Sequence, residues 1–203
     1  MIESVRVEYF KKFKKETFPL NERVAIVGPN DSGKSTLLQA IATWNLALGK
    51  WVELKGAKLP KSKKARAGIS ITRKEFTSIP LREMNLLWHV CDTPFPYEET
   101  PEGQTGYPRY LKISLKGKVG DHPWKLTFDF RYGGKEIIFA KPSEQDLGYI
   151  PFVNENIKIV HVPPFSGIGA EEPEYRSRAY QDYLIGQGKA GDVIRNRILE
   201  IYH

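Results

Sequence analysis

Residues 28–36 have the types and spacing best suited to chemistry in this chain. They read Gly-Pro-Asn-Asp-Ser-Gly-Lys-Ser-Thr and fit the phosphate-loop pattern G-x-x-x-x-G-K-[ST] without a mismatch. The preceding run Arg23–Val27 is short, apolar and rich in β-branched residues, which predicts a buried parallel strand. Residues 37–42 have helical spacing and no helix breaker. Strand, glycine-bounded loop and helix form the context in which this pattern binds phosphate.

The residue types of this loop explain how it would hold a phosphate chain. Gly28 and Gly33 allow unusual backbone angles, so successive N–H groups can turn inward around an anion. The next helix adds its positive N-terminal end, and Lys34 can reach the β- and γ-phosphates. Ser35 can place its hydroxyl on Mg²⁺. The sequence therefore predicts ATP and Mg²⁺ as ligands, with Ser35 at the metal. The predicted nucleotide-binding residues are Gly28, Pro29, Asn30, Asp31, Ser32, Gly33, Lys34, Ser35 and Thr36.

Length and composition predict an ordinary globular protein. The chain has 203 residues, of which 40% are hydrophobic and 27% charged. No apolar run approaches the ~20 residues of a membrane span, and residues 1–6 lack the form of a signal peptide. A single cysteine, Cys91, excludes an internal disulfide and a cysteine-rich zinc site. We therefore expect no membrane contact and a cytoplasmic location.

The charge balance permits a polyanionic partner. The formal net charge is +7, and basic residues cluster in one short segment. Pro60 and Gly68 interrupt this segment, which predicts a surface loop. The loop is solvated, contacts DNA or RNA, or contacts another part of the protein. Its basic residues are Lys55, Lys58, Lys61, Lys63, Lys64 and Arg66.

The pattern along the chain predicts a mixed α/β fold with an antiparallel sheet. A first helix is expected from Gly33 to about Leu48, ended by Gly49. Gly133-Gly134 predicts a hairpin turn between two strands. Strand patterns lie at 5–10, 68–72, 110–115, 124–132 and 136–140.

The remaining segments alternate between helix, loop and strand. Residues 80–88 suit a short helix with Pro at its first position, and 92–108 should form an irregular loop. Ile157–Val162 predicts a buried strand. Two helices are expected at about 172–185 and 192–202, with Asp192 as the N-cap of the second.

The phosphate loop and its flanks resemble a known family. Strand 5–10, the basic turn at residues 11–15, and Gly-Pro-Asn-x-x-Gly-Lys-Ser-Thr-Leu-Leu-x-Ala-Ile at 28–41 are similar to ABC-type, AAA-like ATPase heads of the SMC, RecF and OLD-like group. The resemblance implies an α/β P-loop NTPase core, lobe I of such a head, with an added antiparallel β-sheet and an incomplete nucleotide-binding domain. It divides residues 1–203 into a nucleotide-binding part (1–50), a β-rich lobe (51–156) and a strand with helices leading to a second lobe (157–203).

The family also implies groups that the sequence does not display. Such heads carry an apolar Walker B strand ending in Asp-Glu, a signature loop and a switch histidine. Leu86–Asp92 is the nearest Walker B match, but His89 interrupts it and Thr93 replaces the glutamate, so a helix end is the better interpretation. Phe165–Gly169 resembles a signature loop only faintly. Glu171 or Glu172 could replace a Mg²⁺-contacting glutamine, and the catalytic residues stay unknown.

Residues before the loop have two interpretations each. Tyr9, Phe10 and Phe13 could stack on adenine or pack in the core, with core packing favoured for at least two of them. Lys12 or Lys14 could reach the ribose or the α-phosphate, or form a solvated turn.

Three functions are compatible with the sequence. The first is an ATPase that pairs as a homodimer when full length and acts on DNA in repair or defence, with hydrolysis depending on segments absent from this chain. The second is a small P-loop kinase, which the few arginines near 92–108 disfavour. The third is a nucleotide-gated binding module without turnover. Because no Walker B carboxylates are found, this chain alone is expected to bind ATP and to hydrolyse it slowly or not at all.

Overall fold

The fold is described from a computed structural model. It describes residues 1–57, 67–76, 79, 81–93, 110–161, 173–174, 177–187 and 189–202. The predicted irregular loop at 92–108 therefore lies almost wholly outside the described residues, as do most residues of the basic loop.

One six-stranded antiparallel sheet dominates the described residues, as the strand patterns predict. Its order is β2-β1-β4-β5-β6-β3, so the first two strands join the same sheet as the later ones. The bounds are β1 Ile2–Phe10, β2 Phe13–Pro19, β3 Ile69–Thr72, β4 Leu111–Val119, β5 His122–Gly134 and β6 Ile137–Pro142. The hairpin between β5 and β6 turns at residues 135–136, beyond the predicted Gly133-Gly134, because a register irregularity extends β5 through Gly134.

The sheet has one apolar and one polar face, since side chains alternate along each strand. The apolar face is covered by helix α1, Lys34–Lys55. Trp44 of α1 is fully buried, and its indole N–H donates to the carbonyl oxygen of Leu126 at 2.9 Å. Its ring lies 6.1 Å from that of Phe128 and 6.4 Å from that of Trp124. This contact fixes the direction of α1, and so the position of its first turn.

Helix α1 is longer than the sequence predicts. It passes through Gly49 and ends at Gly56, whose φ is 79° and whose N–H donates to the carbonyl oxygen of Val52. The prediction that Gly49 stops the helix is wrong because the following turn buries Trp51 completely. Burial of one tryptophan outweighs the ~1 kcal/mol that a glycine costs inside a helix.

The shorter elements only partly follow the predictions. The helix predicted at 80–88 is replaced by two 3-10 turns, Met84–Leu87 and His89–Cys91. Helix α2 spans Ile150–Asn156, α3 Arg178–Gly186 and α4 Ile194–Tyr202. Asp192 ends a preceding 3-10 turn and is not the N-cap of α4.

Two segments predicted as buried strands are neither paired nor buried. Every residue of Arg23–Val27 is exposed, and Val27 is 91% exposed. Residues 157–161 also lack strand pairing, and Val160 is 73% exposed. Both predictions are wrong for the described residues because a parallel strand is buried only between neighbouring strands, and those residues provide none. The rest of the second segment, Val162, lies outside the described residues.

Candidate phosphate-binding site

The loop at residues 28–33 joins the exposed segment 23–27 to the first turn of α1. Gly33 has φ +100°, a left-handed conformation that a side chain disfavours. A Cβ on Gly33 would lie 2.5 Å from the Cζ atom of Phe13. Phe13 is 9% exposed and its ring centroid lies 5.0 Å from that of Phe18. The ring of Phe13 therefore packs against the loop at Gly33 and supports it. The sequence did not reveal this role.

Lys34 closes the loop on itself. Its ammonium donates to the carbonyl oxygens of Gly28 and Pro29, each at 2.7 Å. The third N–H donor of this ammonium faces Ser32 Oγ at 3.5 Å, a long contact that a phosphate oxygen can replace. The side chain is thus held across the mouth of the loop with its charge available to an anion.

The turn between β1 and β2 brings a second lysine to the loop. The ammonium of Lys12 contacts the carbonyl oxygen of Asp31, and lies 3.5 Å from the Asp31 carboxylate. Of the two lysines considered for the ribose or α-phosphate, the structure therefore places Lys12 at the loop. Asp31 itself is 97% exposed at its side chain, so this ion pair leaves the site open to solvent.

The same turn is anchored to the rest of the molecule. The ammonium of Lys11 donates to the side-chain oxygen of Gln39 on α1 at 2.7 Å, and burial lowers the pKa of Lys11. The backbone N–H of Lys11 donates to Leu87, and its carbonyl oxygen lies 2.8 Å from Nδ1 of His89. These bonds hold the turn, and with it Lys12, in a fixed position beside the loop.

The local geometry fits a phosphate chain. No side chain caps the N-terminus of α1, and its first turn contains no acidic residue, so the free N–H groups and the helix dipole favour an anion there. Ser35 is exposed in that turn, where its hydroxyl can reach a metal bound to phosphate. No group of three or more His, Cys, Asp or Glu side chains could hold a metal ion within the residues that the structure describes.

None of the candidate Walker B segments forms a described strand that ends at the loop with a carboxylate. Residues 84–87 and 89–91 form 3-10 turns, which confirms that Leu86–Asp92 is not such a strand. Asp129 lies within β5, and its carboxylate is 3.6 Å from the ammonium of Lys112. Phe165–Gly169, Glu171 and Glu172 lie outside the described residues, as do Lys58, Lys61, Lys63, Lys64 and Arg66 of the basic loop. Lys55 is the last residue of α1.

The aromatic residues before the loop serve mainly as core. Phe10 is fully buried and Phe13 nearly so, which confirms core packing for two of the three. Tyr9 is half-buried at the irregular end of β1, where its φ is 57°. Tyr9 is thus the aromatic residue of the three that is most accessible to a ligand.

A groove runs beside the loop on the uncovered side of α1. It has a volume of about 530 Å³ and lies between the segment 22–26, helix α1 and the start of the segment 157–161. Its apolar lining is Leu20, Val24, Ile26, Leu37, Leu38, Ile41 and Ile157. Asn45 of α1 bridges toward it, donating to the carbonyl oxygen of Ile159 at 3.3 Å. The two unpaired segments therefore flank one apolar space next to the phosphate loop.

One comparison with known proteins found a match that includes the phosphate loop. The model of the AAA ATPase domain family matches residues 1–47, which contain β1, β2, the loop and the first part of α1. The match supports an AAA-type ATPase and nucleotide binding at a general level. A comparison with curated proteins gave no match.

A search for membrane spans gave a separate result. None of the helices in the described part of the chain is long and apolar enough to cross a bilayer.

Proposed function

We propose that this chain binds Mg²⁺-ATP at residues 28–36 and forms the phosphate-binding part of an ATPase head of the SMC, RecF and OLD-like type. The observation that carries the proposal is the closed loop, in which the Lys34 ammonium bridges the Gly28 and Pro29 carbonyls in front of the uncapped start of α1. The AAA ATPase domain match over residues 1–47 supports the nucleotide-binding part of this proposal.

Each group of the site has a separate role in binding a triphosphate. The loop N–H groups and the α1 N-terminus bind phosphate oxygens. Lys34 neutralises charge on the β- and γ-phosphates, and we expect Lys12, whose ammonium contacts the loop at Asp31, to reach the α-phosphate or the ribose. Ser35 would hold Mg²⁺ through its hydroxyl, and the metal would supply charge stabilisation to the phosphates.

Turnover requires groups that the described residues do not place at this site. Phosphoryl transfer depends on a positioned water and on charge stabilisation at the γ-phosphate. We propose that a further segment supplies a carboxylate strand, and that it pairs with Arg23–Val27 beside the groove. The exposed Val24, Ile26 and Val27 support this, since an unpaired apolar strand has a strong tendency to accept another strand. ATP-dependent pairing of two heads and action on nucleic acid are the wider functions that we expect of the completed protein.

Nucleotide binding is tested by titrating a fluorescent ATP analogue with Mg²⁺ into the chain and into two variants. Lys34→Ala should lose at least about 1.5–3 kcal/mol of binding, the usual value of a charged hydrogen bond, and so about tenfold or more in affinity. Lys14→Ala removes an equally charged, exposed lysine from neighbouring β2 and should bind as the parent does. Equal affinity for all three proteins would overturn the proposal.

Turnover is tested separately by phosphate release. The chain alone should release phosphate slowly, and a longer protein that adds an apolar strand ending in Asp-Glu should release it at least about a hundredfold faster. Full activity of the chain by itself would show that the carboxylate lies within these 203 residues. Binding with slow release in both proteins would favour the nucleotide-gated binding module.

A further inference from the structure

The polar face of the sheet, on the opposite side from α1, carries aligned rows of charged and hydroxyl side chains. The strand register aligns Arg6 of β1 with Ser114 of β4, and Ser114 with Thr127 of β5. One step along the strands, Lys116 of β4 lies directly opposite Lys125 of β5. Neighbouring strands are ~4.8 Å apart, so the side chains of each row lie next to one another on this face.

Charges on this face are balanced at one end and unbalanced at the other. Arg6 pairs with Glu8 at 2.9 Å, and Lys112 with Asp129 at 3.6 Å. Lys116 and Lys125 are exposed, and neither has an ion-pair partner within the part of the chain that the structure describes. Like charges directly opposite each other destabilise a sheet. A pair of facing lysines is therefore costly by itself and becomes favourable when an anion lies between them.

Hydroxyl groups line the space beside these lysines. A groove of about 390 Å³ is lined by Arg6, Glu8, Lys112, Ser114, Lys125, Thr127, Ser143 and Gln145. The Thr127 hydroxyl donates to Ser114 Oγ at 2.9 Å, and both residues are only 8% exposed, so this hydrogen-bonded pair forms part of the groove wall. Lysine, arginine, serine, threonine and glutamine are the side chains that contact the phosphates and sugars of nucleic acids.

The side chains of this face favour one of three polyanionic ligands: a membrane surface, a single strand or a duplex. No large exposed hydrophobic residue lies within β1, β4 or β5, so this face lacks the apolar anchors that membrane binding uses. Phe139 of neighbouring β6 is covered by the Arg131 guanidinium, 4.9 Å from its ring, so it offers no free stacking surface for single-stranded bases. A duplex, which exposes its phosphates and keeps its bases stacked, suits this surface best.

We propose that the polar face of β1, β4 and β5 binds the backbone of double-stranded nucleic acid, with Lys116 and Lys125 as the principal phosphate contacts. This surface rests on the proposed function, because it would bind the nucleic-acid partner expected there. It shares no residue with the ATP loop. Binding should be independent of sequence and strongly dependent on salt. Its failure would leave the nucleotide site untouched.

The test measures fluorescence anisotropy of a labelled DNA duplex across ~50 to ~200 mM salt. The double variant K116E/K125E should bind at least about tenfold more weakly and lower the salt slope by about two, one for each phosphate contact. The control K14E/K74E makes the same change of net charge at exposed lysines of β2 and the turn after β3. An equal loss in the control would show that binding follows net charge alone and would overturn the proposal.

The single variant K116E separates binding from folding. It replaces two facing lysines by a cross-strand ion pair, so its Tm should rise slightly while its duplex affinity falls. A fall in both Tm and affinity, no duplex binding by the parent chain at low salt, or equal binding to poly-glutamate or to vesicles of anionic lipid would each overturn the proposal. Lys34→Ala should keep its duplex affinity, which distinguishes this surface from the ATP site.

Discussion

The two sides of helix α1 differ in how completely other parts of the chain cover them. Toward the sheet, α1 buries Trp44, Ala47 and Trp51 fully against strands that are all paired. Toward the other side, Leu38 of the same helix is 44% exposed and faces segments without strand partners. Apolar strand-like sequence is therefore insufficient for burial. A segment is buried only where the chain also provides its neighbours.

Hydrogen exchange should give the largest contrast between the two sides. No backbone N–H of Val24–Gly28 or Lys158–His161 donates to a backbone carbonyl within the described residues, whereas β4 pairs along its whole length. Amides in the middle of β4 should exchange on the order of a thousandfold more slowly, because they open only with the fold. Mass-spectrometric exchange measures this. Equal protection of residues 24–28 would show that another part of the chain pairs with them.

Truncation on each side should change stability very differently. Trp44→Ala removes a fully buried ring and should lower the free energy of unfolding by about 3–5 kcal/mol. Val27→Ala changes a side chain that is 91% exposed and should have an effect within about 0.5 kcal/mol. Urea unfolding of both variants checks the pair. A loss above about 1 kcal/mol for Val27→Ala would mean that this side is closed in solution.

Substitutions of two glycines, one at the start of α1 and one within it, should have smaller and opposite effects on stability. Gly33→Ala forces a Cβ against Phe13 at a left-handed φ and should cost roughly 1–3 kcal/mol, with weaker ATP binding. Gly49→Ala has open space around the new Cβ and should stabilise the helix by about 0.5–1 kcal/mol. Thermal unfolding with and without ATP would test both substitutions. Opposite signs for the two glycines are the expected result.

The pH dependence of stability should give the smallest effect. Burial lowers the pKa of His161, so the unfolded chain binds more protons below the ordinary histidine value of about 6.5. Stability should therefore fall as the pH drops through about 6.5 toward the lowered folded value, and His161→Gln should flatten this slope. Urea titrations at a series of pH values measure it. An unchanged slope in the variant would assign the dependence to another group.

Local patterns predicted those parts of the fold that depend on neighbouring residues. Alternation predicted five of the six strands, all except β2, and the spacing of Gly28, Gly33 and Lys34 predicted the loop. The sequence did not predict that Phe13 supports Gly33, because that contact joins β2 to α1 through the tertiary fold. The extent of α1 beyond Gly49 was missed for the same reason, since burial of Trp51 decides it. The exposure of Val27 was not predicted because an apolar composition does not show whether neighbouring strands are present to cover the segment.

The placement of the tryptophans has a consequence for anyone following this protein by its intrinsic emission. All four indoles, Trp44, Trp51, Trp88 and Trp124, are at most 1% exposed and belong to the core beneath the sheet. Their spectrum therefore reports the integrity of that core and should stay nearly constant while ligands or strands arrive at the opposite side of α1. A reporter introduced as Val27→Trp would make those arrivals visible.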